Sequence, residues 1–458
     1  MINLSKTKTE IKELDKESRI HNNDEVIIGY SKEEAMMEAN RCLNCKDKPC
    51  INGCPLHNDI PSFIDYIKKD DLVAAVSIID WTSPFPFVCS RVCNQKEQCE
   101  KNCTRGKNGE SVAIGMLERY VCDNAYDKIP TTLNLIPHNG KSVAIIGAGP
   151  SGLSCAEKLI LVGFSVDVYD ALPFAGGLME YGIPDFRLDK SYIRHKINFL
   201  QSKGVHFILN TKIGVDIDFK KIEEKYDYVY LAIGADVTNT MGLANENIEG
   251  VVTSNKYLLY LNKSEFYKDE KMYQQLISAK NVVVVGGGNV AMDVSRVAIR
   301  HGANVNIVYR RSLEEMPARS NEIQDALNEG VKINYLTNPI LINGINHIES
   351  ITCNKNTLGE LDSSGRRKPI AIEGSEFDMP CDLLIYAIGS SQDEDILKNI
   401  GVSYSSKKTI IVNDELKTSK ENVFAGGDLI TGPNTVVHAI RDGIKVAKNI
   451  IDHHNKNN

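Results

Sequence analysis

No apolar run in this chain approaches the roughly eighteen residues needed to span a bilayer, so no membrane-spanning helix is expected. There is no cationic excess either. Lys and Arg number 53 against 60 Asp and Glu, a net charge of -7, which gives no general affinity for nucleic acid or an anionic membrane. The first twenty residues, MINLSKTKTEIKELDKESRI, are polar and carry both signs of charge, unlike a signal or transit peptide, so the expected location is cytoplasmic. Tryptophan is almost missing. The single one, Trp81, lies beside the Ser83-Pro84-Phe85-Pro86 turn and is read as packing rather than as a cofactor contact. C-x-x-C pairs are also scarce: only Cys42 and Cys45 form one, whereas zinc usually takes two such pairs.

What the chain has is a dense block of cysteines. Of twelve, eight lie between Cys42 and Cys103. In a long chain without a secretion signal this clustering favours metal ligation over disulfides. A helix is expected to lead into them from Ser31, with Glu34 completing a capping box. Cys42, Cys45, Cys50 and Cys54 follow as C-x2-C-x4-C-x3-C-P, then a mostly helical stretch from Ile60 to Asp80, then Cys89, Cys93, Cys99 and Cys103. Closely spaced soft thiolates ending in Cys-Pro suit two 4Fe-4S clusters, with structural zinc and disulfides as the alternatives. Counting alone allots four cysteines to each cluster without saying which. Cys122 and Cys155 read as small buried core residues.

At 458 residues the chain has room for about three domains. After linker-like composition at 129–140, Lys141 to Asp170 reads KSVAIIGAGPSGLSCAEKLILVGFSVDVYD. An apolar strand (Val143 to Ile146) enters Gly147, Gly149-Pro150-Ser151 and Gly152, and a helix follows. The glycines allow the tight turn, backbone approach to a pyrophosphate and close helix–strand packing. The helix N-terminus offers free N–H groups to the phosphates. Asp170 ends the next strand, where a carboxylate accepts from a ribose. The loop Gly176-Gly177-Leu178 to Pro184 is glycine-rich enough to let backbone approach a flat ligand, the alternative being a surface loop.

The pattern recurs. Asn281 to Arg310 reads NVVVVGGGNVAMDVSRVAIRHGANVNIVYR, with Gly286, Gly288, Asn289, Val290 and Ala291 at the turn. Where the first copy ends in Asp170, the second ends in Arg310 and Arg311, with Arg319 beyond. Arginine binds a 2′-phosphate through charged, fork-shaped hydrogen bonds, which favours NADP(H) over NAD(H), the alternative being arginines on a solvated face. Residues 331–380 carry short strands and turns, including Asp362 to Gly365, that complete the second nucleotide domain. DLLIYAIG (382–389) echoes YVYLAIG (228–234) and is read as the return to the first domain. NVFAGGDL (422–429) and the helix that follows put Gly427, Asp428, Thr435 and Val436 where a flavin ribityl chain and ring would lie.

Together these motifs resemble the small (beta) subunit of NADPH-dependent glutamate synthase and its relatives. Those relatives include the flavin-bearing large subunit of NADH-dependent reduced ferredoxin:NADP oxidoreductase and the N-terminal half of dihydropyrimidine dehydrogenase. The similarity runs from the Cys42 region through GAGPSGLSCA, GGLMEYGIPDFRL, GGGNVAMD, YRR and AGGD. It implies an α/β protein: a helical N-terminal domain with two 4Fe-4S clusters, then two Rossmann-like domains for FAD and NADPH, the second inserted in the first. Cys42, Cys45, Cys50 and Cys103 would hold one cluster. Cys54, Cys93, Cys99 and Glu118 would hold the other, leaving Cys89 spare. Asn94 stands where many relatives have proline. Arg187, in DFRL, joins the expected flavin residues.

The expected division is 1–138 for the clusters, 139–245 with 376–458 for FAD, and 246–375 for NAD(P)H. NADPH would pass hydride to FAD, which converts two-electron to one-electron chemistry, and the clusters would feed a partner. No protein acid or base is obviously needed. Nothing in the sequence supplies the glutaminase and synthase parts of glutamate synthesis. The expected partner is therefore a larger synthase subunit, or else a small ferredoxin-reductase-like subunit with FAD and a 2Fe-2S cluster in a bifurcating transhydrogenase. A redox-sensing binding protein is the reading from another class, and self-association into a homo-oligomer is left open.

Overall fold

The computed structural model describes residues 3–128, 136–362 and 365–456. Most of the linker-like stretch at 129–140 and the centre of the turn at 363–364 lie outside the described residues. The N-terminal region is helical: α1 (Lys32–Ala39), α2 (Ile60–Lys68), α3 (Leu72–Thr82), α4 (Pro86–Val92) and α5 (Ile114–Ala125). The capping box forms as read. Ser31 Oγ accepts from the Glu34 N–H and Glu34 accepts from the Ser31 N–H at 2.8 Å. Asp71 caps α3 by accepting from the Ala74 N–H at 3.0 Å. Phe63, Ile64, Ile67, Ala75, Val76, Ile79, Leu117 and Val121 close a core between these helices. Each large apolar side chain there contributes about 1.5–3 kcal/mol by burial.

Trp81 corrects the packing expectation. It is 83% exposed, because α3 turns Ala75, Val76 and Ile79 inward and carries Trp81 out on the opposite face.

Two parallel sheets follow. The first contains β1 (Ser142–Ile146), β2 (Ser165–Tyr169), β3 (His206–Ile208) and β4 (Tyr228–Leu231), with α6 (Pro150–Ile160) between β1 and β2. The second contains β5 (Val251–Thr253), β6 (Asn281–Val285), β7 (Asn304–Tyr309), β8 (Lys332–Tyr335) and β9 (Leu383–Tyr386). Helix α7 (Asn289–Arg300) follows β6, and α8 (Ser320–Asn328) precedes β8. A four-stranded antiparallel sheet between Thr337 and Pro380 lies between β8 and β9. The chain ends with β10 (Val423–Ala425) and the 21-residue α9 (Val436–Lys456).

The strand orders are β10-β4-β1-β2-β3 and β5-β9-β6-β7-β8. Both central strands read as continuous apolar runs because each faces two cores. Val143 and Ile145 enter one and Ala144 and Ile146 another, while Val282 and Val284 are separated from Val283 and Val285 in the same way.

The register corrects the expected return point at 376. β9, the DLLIYAIG echo, pairs in parallel with β6 (Leu383 to Val282) and with β5. It stands to β6 as β4 stands to β1, so the echo marks an internal repeat rather than a return. The chain crosses back just afterwards, where Ser390–Ser391 pairs with Val237–Thr238.

Candidate functional site

Cys42, Cys45, Cys50 and Cys103 line one cavity. Cys50 sits in the short helix Pro49–Gly53, entered through Lys48 in a left-handed conformation (φ 41°). A buried ion pair fixes the surrounding loops. Arg41 Nη1 bonds Glu38 at 2.7 Å and the Ser111 carbonyl at 3.0 Å, and Arg41 Nη2 bonds the Glu110 carbonyl at 2.6 Å. Glu38 in turn accepts from the N–H groups of Thr9 and Ala113. This ties Cys42, next to Arg41, to the segment that follows Cys103.

Cys54, Cys93 and Cys99 line a second cavity with Cys89 and Glu118. Glu118, on α5, has no hydrogen bond or ion pair among the described residues, and burial holds its carboxyl well above the usual range. A half-buried carboxylate that lines the thiol cavity without a partner fits a ligand position. Cys89 lines the same cavity, shares its apolar core with Cys93, and is distinguished by a hydrogen bond received from Ser83 Oγ (3.6 Å). Burial also pushes the Cys50 thiol up to about 12 and that of Cys54 up to about 11. A bound cluster must therefore offset the cost of forming the thiolates. Among the described residues, no three His, Cys, Asp or Glu side chains converge on a single-ion site. Four candidate ligands around one cavity and five around the other suit clusters, whose ligands bind separate irons, better than mononuclear zinc.

A cavity of about 560 Å³ lies over the first sheet. Gly147, Gly149, Pro150, Ser151, Asp170, Gly177, Leu178, Gly427, Asp428, Thr435 and Val436 all line it. Gly147 cannot be replaced without a clash, since a Cβ there would lie 2.3 Å from the Ala232 carbonyl oxygen. Gly152 lies beneath the turn rather than in the cavity. A Cβ on it would lie 2.0 Å from the Gly147 carbonyl oxygen, which is the helix–strand packing role. Gly177 (φ 55°) approaches Gly149 so closely that a Cβ would lie 2.7 Å from its Cα.

The N-termini of α6 and α9 both meet this cavity, and helix N-termini favour anionic or electron-rich groups. Asp170 accepts from the N–H groups of Ala148 (2.7 Å) and Leu172 (2.9 Å), and burial raises its pKa. Burial pushes Asp428 up to about 6. The cavity's size and its carboxylates fit an FAD. Sequence reading missed Gln392, which lines the cavity and donates to the Asp428 carbonyl at 3.0 Å. Its only signal was its place just after the repeated Ile-Gly.

The second glycine turn repeats the first. A Cβ on Gly286 would lie 2.3 Å from the Ala387 carbonyl oxygen, while Gly288 meets nothing within 4 Å and leaves room for a pyrophosphate. Asn289 is half-buried, and Val290 and Arg310 are exposed beside it.

Three arginines depart from expectation. Arg311 is only 3% exposed, bonded to Asp362 at 2.5 Å and to the Arg367 carbonyl at 2.7 Å, so it braces the fold rather than facing a 2′-phosphate. Arg319 is bonded to Glu322 and to the Cys93 carbonyl. Arg187 does not line the flavin cavity. It grips Asp293 of α7 and Glu322 of α8. In each case a carboxylate captures the guanidinium, buried for Arg187 and Arg319 and half-buried for Arg311.

Fold and site define a nicotinamide- and flavin-dependent oxidoreductase with an iron-sulfur domain. Comparisons agree. Residues 141–443 match the pyridine nucleotide-disulphide oxidoreductase family, and residues 19–129 match dihydropyrimidine dehydrogenase domain II, 4Fe-4S cluster. The glutamate synthase [NADPH] small chain of Escherichia coli is 34% identical over 439 residues, covering 93% of this chain and 93% of that one. The NADP(+)-dependent formate dehydrogenase subunit beta of Moorella thermoacetica is 38% identical, covering 88% of this chain and 59% of that one. Among solved structures, FprA of Mycobacterium tuberculosis has a TM-score of 0.57 at 20% identity, covering 70% of this chain and 86% of that one, a likeness of fold. The chain belongs to the pyridine nucleotide-disulphide oxidoreductase family, in the group formed by the glutamate synthase small chains and their relatives. Its cofactors are FAD, NADPH and 4Fe-4S clusters. No single described helix is long and apolar enough to cross a membrane.

Proposed function

We propose that the chain is the electron-feeding subunit of a glutamate synthase, taking electrons from NADPH and delivering them to a larger synthase partner. The observation that carries the electron path is the first turn of α9. Thr435, Val436 and Ala439 line the flavin cavity, while Val437 lines the cavity of Cys54, Cys93, Cys99 and Glu118. One helical turn separates the two sites. When bound, FAD supplies the exchange between two-electron nicotinamide and one-electron iron-sulfur chemistry.

The chain's own part is positioning. Gly286, Gly288, Asn289, Val290 and Arg310 hold NADPH. Gly147, Gly149, Pro150, Ser151, Asp170, Gly177, Leu178, Gly427, Asp428, Thr435 and Val436 hold FAD, with Gly152 setting the helix beneath. Cys42, Cys45, Cys50 and Cys103 hold one cluster, and Cys54, Cys93, Cys99 and Glu118 the other. The domains are then 1–138 for the clusters, 139–245 with the segment from about 388 to 458 for FAD, and 246–387 for NADPH. The choice of partner rests on the match along nearly the full length of the glutamate synthase small chain.

Anaerobic co-purification from the native cell tests the partner. A large synthase chain is the expected companion. A small subunit with FAD and a 2Fe-2S cluster would replace this reading with the bifurcating transhydrogenase, and purification alone, without NADPH turnover on ferricyanide, would point to a redox sensor.

A further inference from the structure

Arg319, just before α8, touches two of these sites at once. Its backbone N–H donates to Asn289 Oδ1 at 2.9 Å, and Asn289 follows Gly288 in the second glycine turn. Its Nη1 donates to the carbonyl of Cys93 at 3.1 Å, and Cys93 lines the second thiol cavity. Nη2 bonds Glu322 at 2.6 Å. Arg187 and Arg296 reach the same carboxylate at 3.1 and 3.2 Å, and each also has a carboxylate of its own, Asp293 at 2.7 Å and Glu329 at 2.8 Å. The Arg319 side chain is 11% exposed, and its Nε has no partner among the described residues. Its charge therefore acts through a poorly screening interior.

We propose that Arg319 is a positioning residue that links the nucleotide turn to the second iron-sulfur site, raising the reduction potential of the cluster there and transmitting nucleotide occupancy to it. The proposal rests on the reading that Cys54, Cys93, Cys99 and Glu118 hold a cluster. Taking up one electron makes the cluster one charge more negative, so a nearby cation and a polarised ligand peptide favour the reduced form. Asn289 lies where the pyrophosphate of a nucleotide arrives, and the backbone of Arg319 hangs from its side chain. A nucleotide that shifts Asn289 shifts the guanidinium, and the coupling is reciprocal.

The test is an anaerobic potentiometric titration of holoprotein followed by EPR, with and without NADP⁺, on wild type, Arg319→Gln and Arg319→Lys, with iron and sulfide counted in each. In Arg319→Gln one cluster becomes about tenfold harder to reduce, a shift of about 59 mV to more negative potential for one electron, and the other is unchanged. NADP⁺ moves that cluster's potential in wild type and not in Arg319→Gln, and Arg319→Lys falls between. Fully loaded Arg319→Gln with both potentials unchanged overturns the inference alone. Wild type without iron overturns the cluster reading itself. Where Arg319→Gln loses its iron, Arg319→Lys and Asn289→Ala decide: a nucleotide-dependent shift that persists undiminished in both contradicts the link.

Discussion

Arg187 Nη1 lies 2.7 Å from both carboxylate oxygens of Asp293, clamping the loop after the flavin glycines onto the helix that opens at the NADPH turn. The Arg187 side chain is 11% exposed, and Asp293 is only 4% exposed. Arg187→Gln leaves a buried carboxylate with a neutral partner, and destabilisation of about 3–5 kcal/mol is expected, as when one member of a buried pair is removed. Flavin content at low temperature should stay near wild type because Arg187 does not line the flavin cavity. Thermal unfolding combined with flavin absorbance checks both expectations.

The two glycine turns separate the two nucleotides. Gly147→Ala would force a Cβ into the Ala232 carbonyl, and Gly286→Ala would force one into the Ala387 carbonyl. Gly147→Ala is expected to purify without FAD. Gly286→Ala is expected to keep FAD but to lose its bleaching by NADPH.

Arg310 and Arg311 should part company. Arg310 is exposed beside the second turn, whereas Arg311 is spent on Asp362. Losing one charge-assisted hydrogen bond costs about 1.5–3 kcal/mol, so Arg310→Gln is expected to raise the KM for NADPH about 10- to 100-fold with little change for NADH. Arg311→Gln should lower the melting temperature instead. Steady-state kinetics with ferricyanide and a melting curve distinguish the two.

Asp428 makes the flavin-free protein pH-sensitive. Its pKa rises from 3.8 to about 6 on folding. The folded state thus holds the proton more tightly than the unfolded chain, and this stability is present below about pH 4 and lost as pH rises through about 6. Asp428→Asn in flavin-free protein should remove that slope and add on the order of 2 kcal/mol at pH 7, while weakening FAD binding. Unfolding midpoints from pH 4 to 7.5 report the first effect and flavin retention the second.

Much of this was legible because glycine turns, capping boxes and cysteine spacing are local demands that a short stretch must meet by itself. The capping box at Ser31 and both dinucleotide turns are of that kind. The fates of Arg187 and Arg311 were not legible, since their partners lie 106 and 51 residues away and only the fold brings them together. The DLLIYAIG echo showed the repeat, but strand pairing with Val282 was needed to assign it to the second sheet. Trp81 misled because composition places tryptophan in cores, while the face of α3 that it occupies is set by its neighbours Ala75, Val76 and Ile79.

The most direct measurement is an anaerobic titration of the purified protein with NADPH and separately with NADH, following flavin by absorbance and the clusters by EPR, after counting iron and sulfide. About eight irons per chain, flavin bleached by NADPH in preference to NADH, and cluster signals growing as the flavin is reduced are expected. An intact flavin after NADPH, or zinc in place of iron, would contradict the path from NADPH through FAD to the clusters.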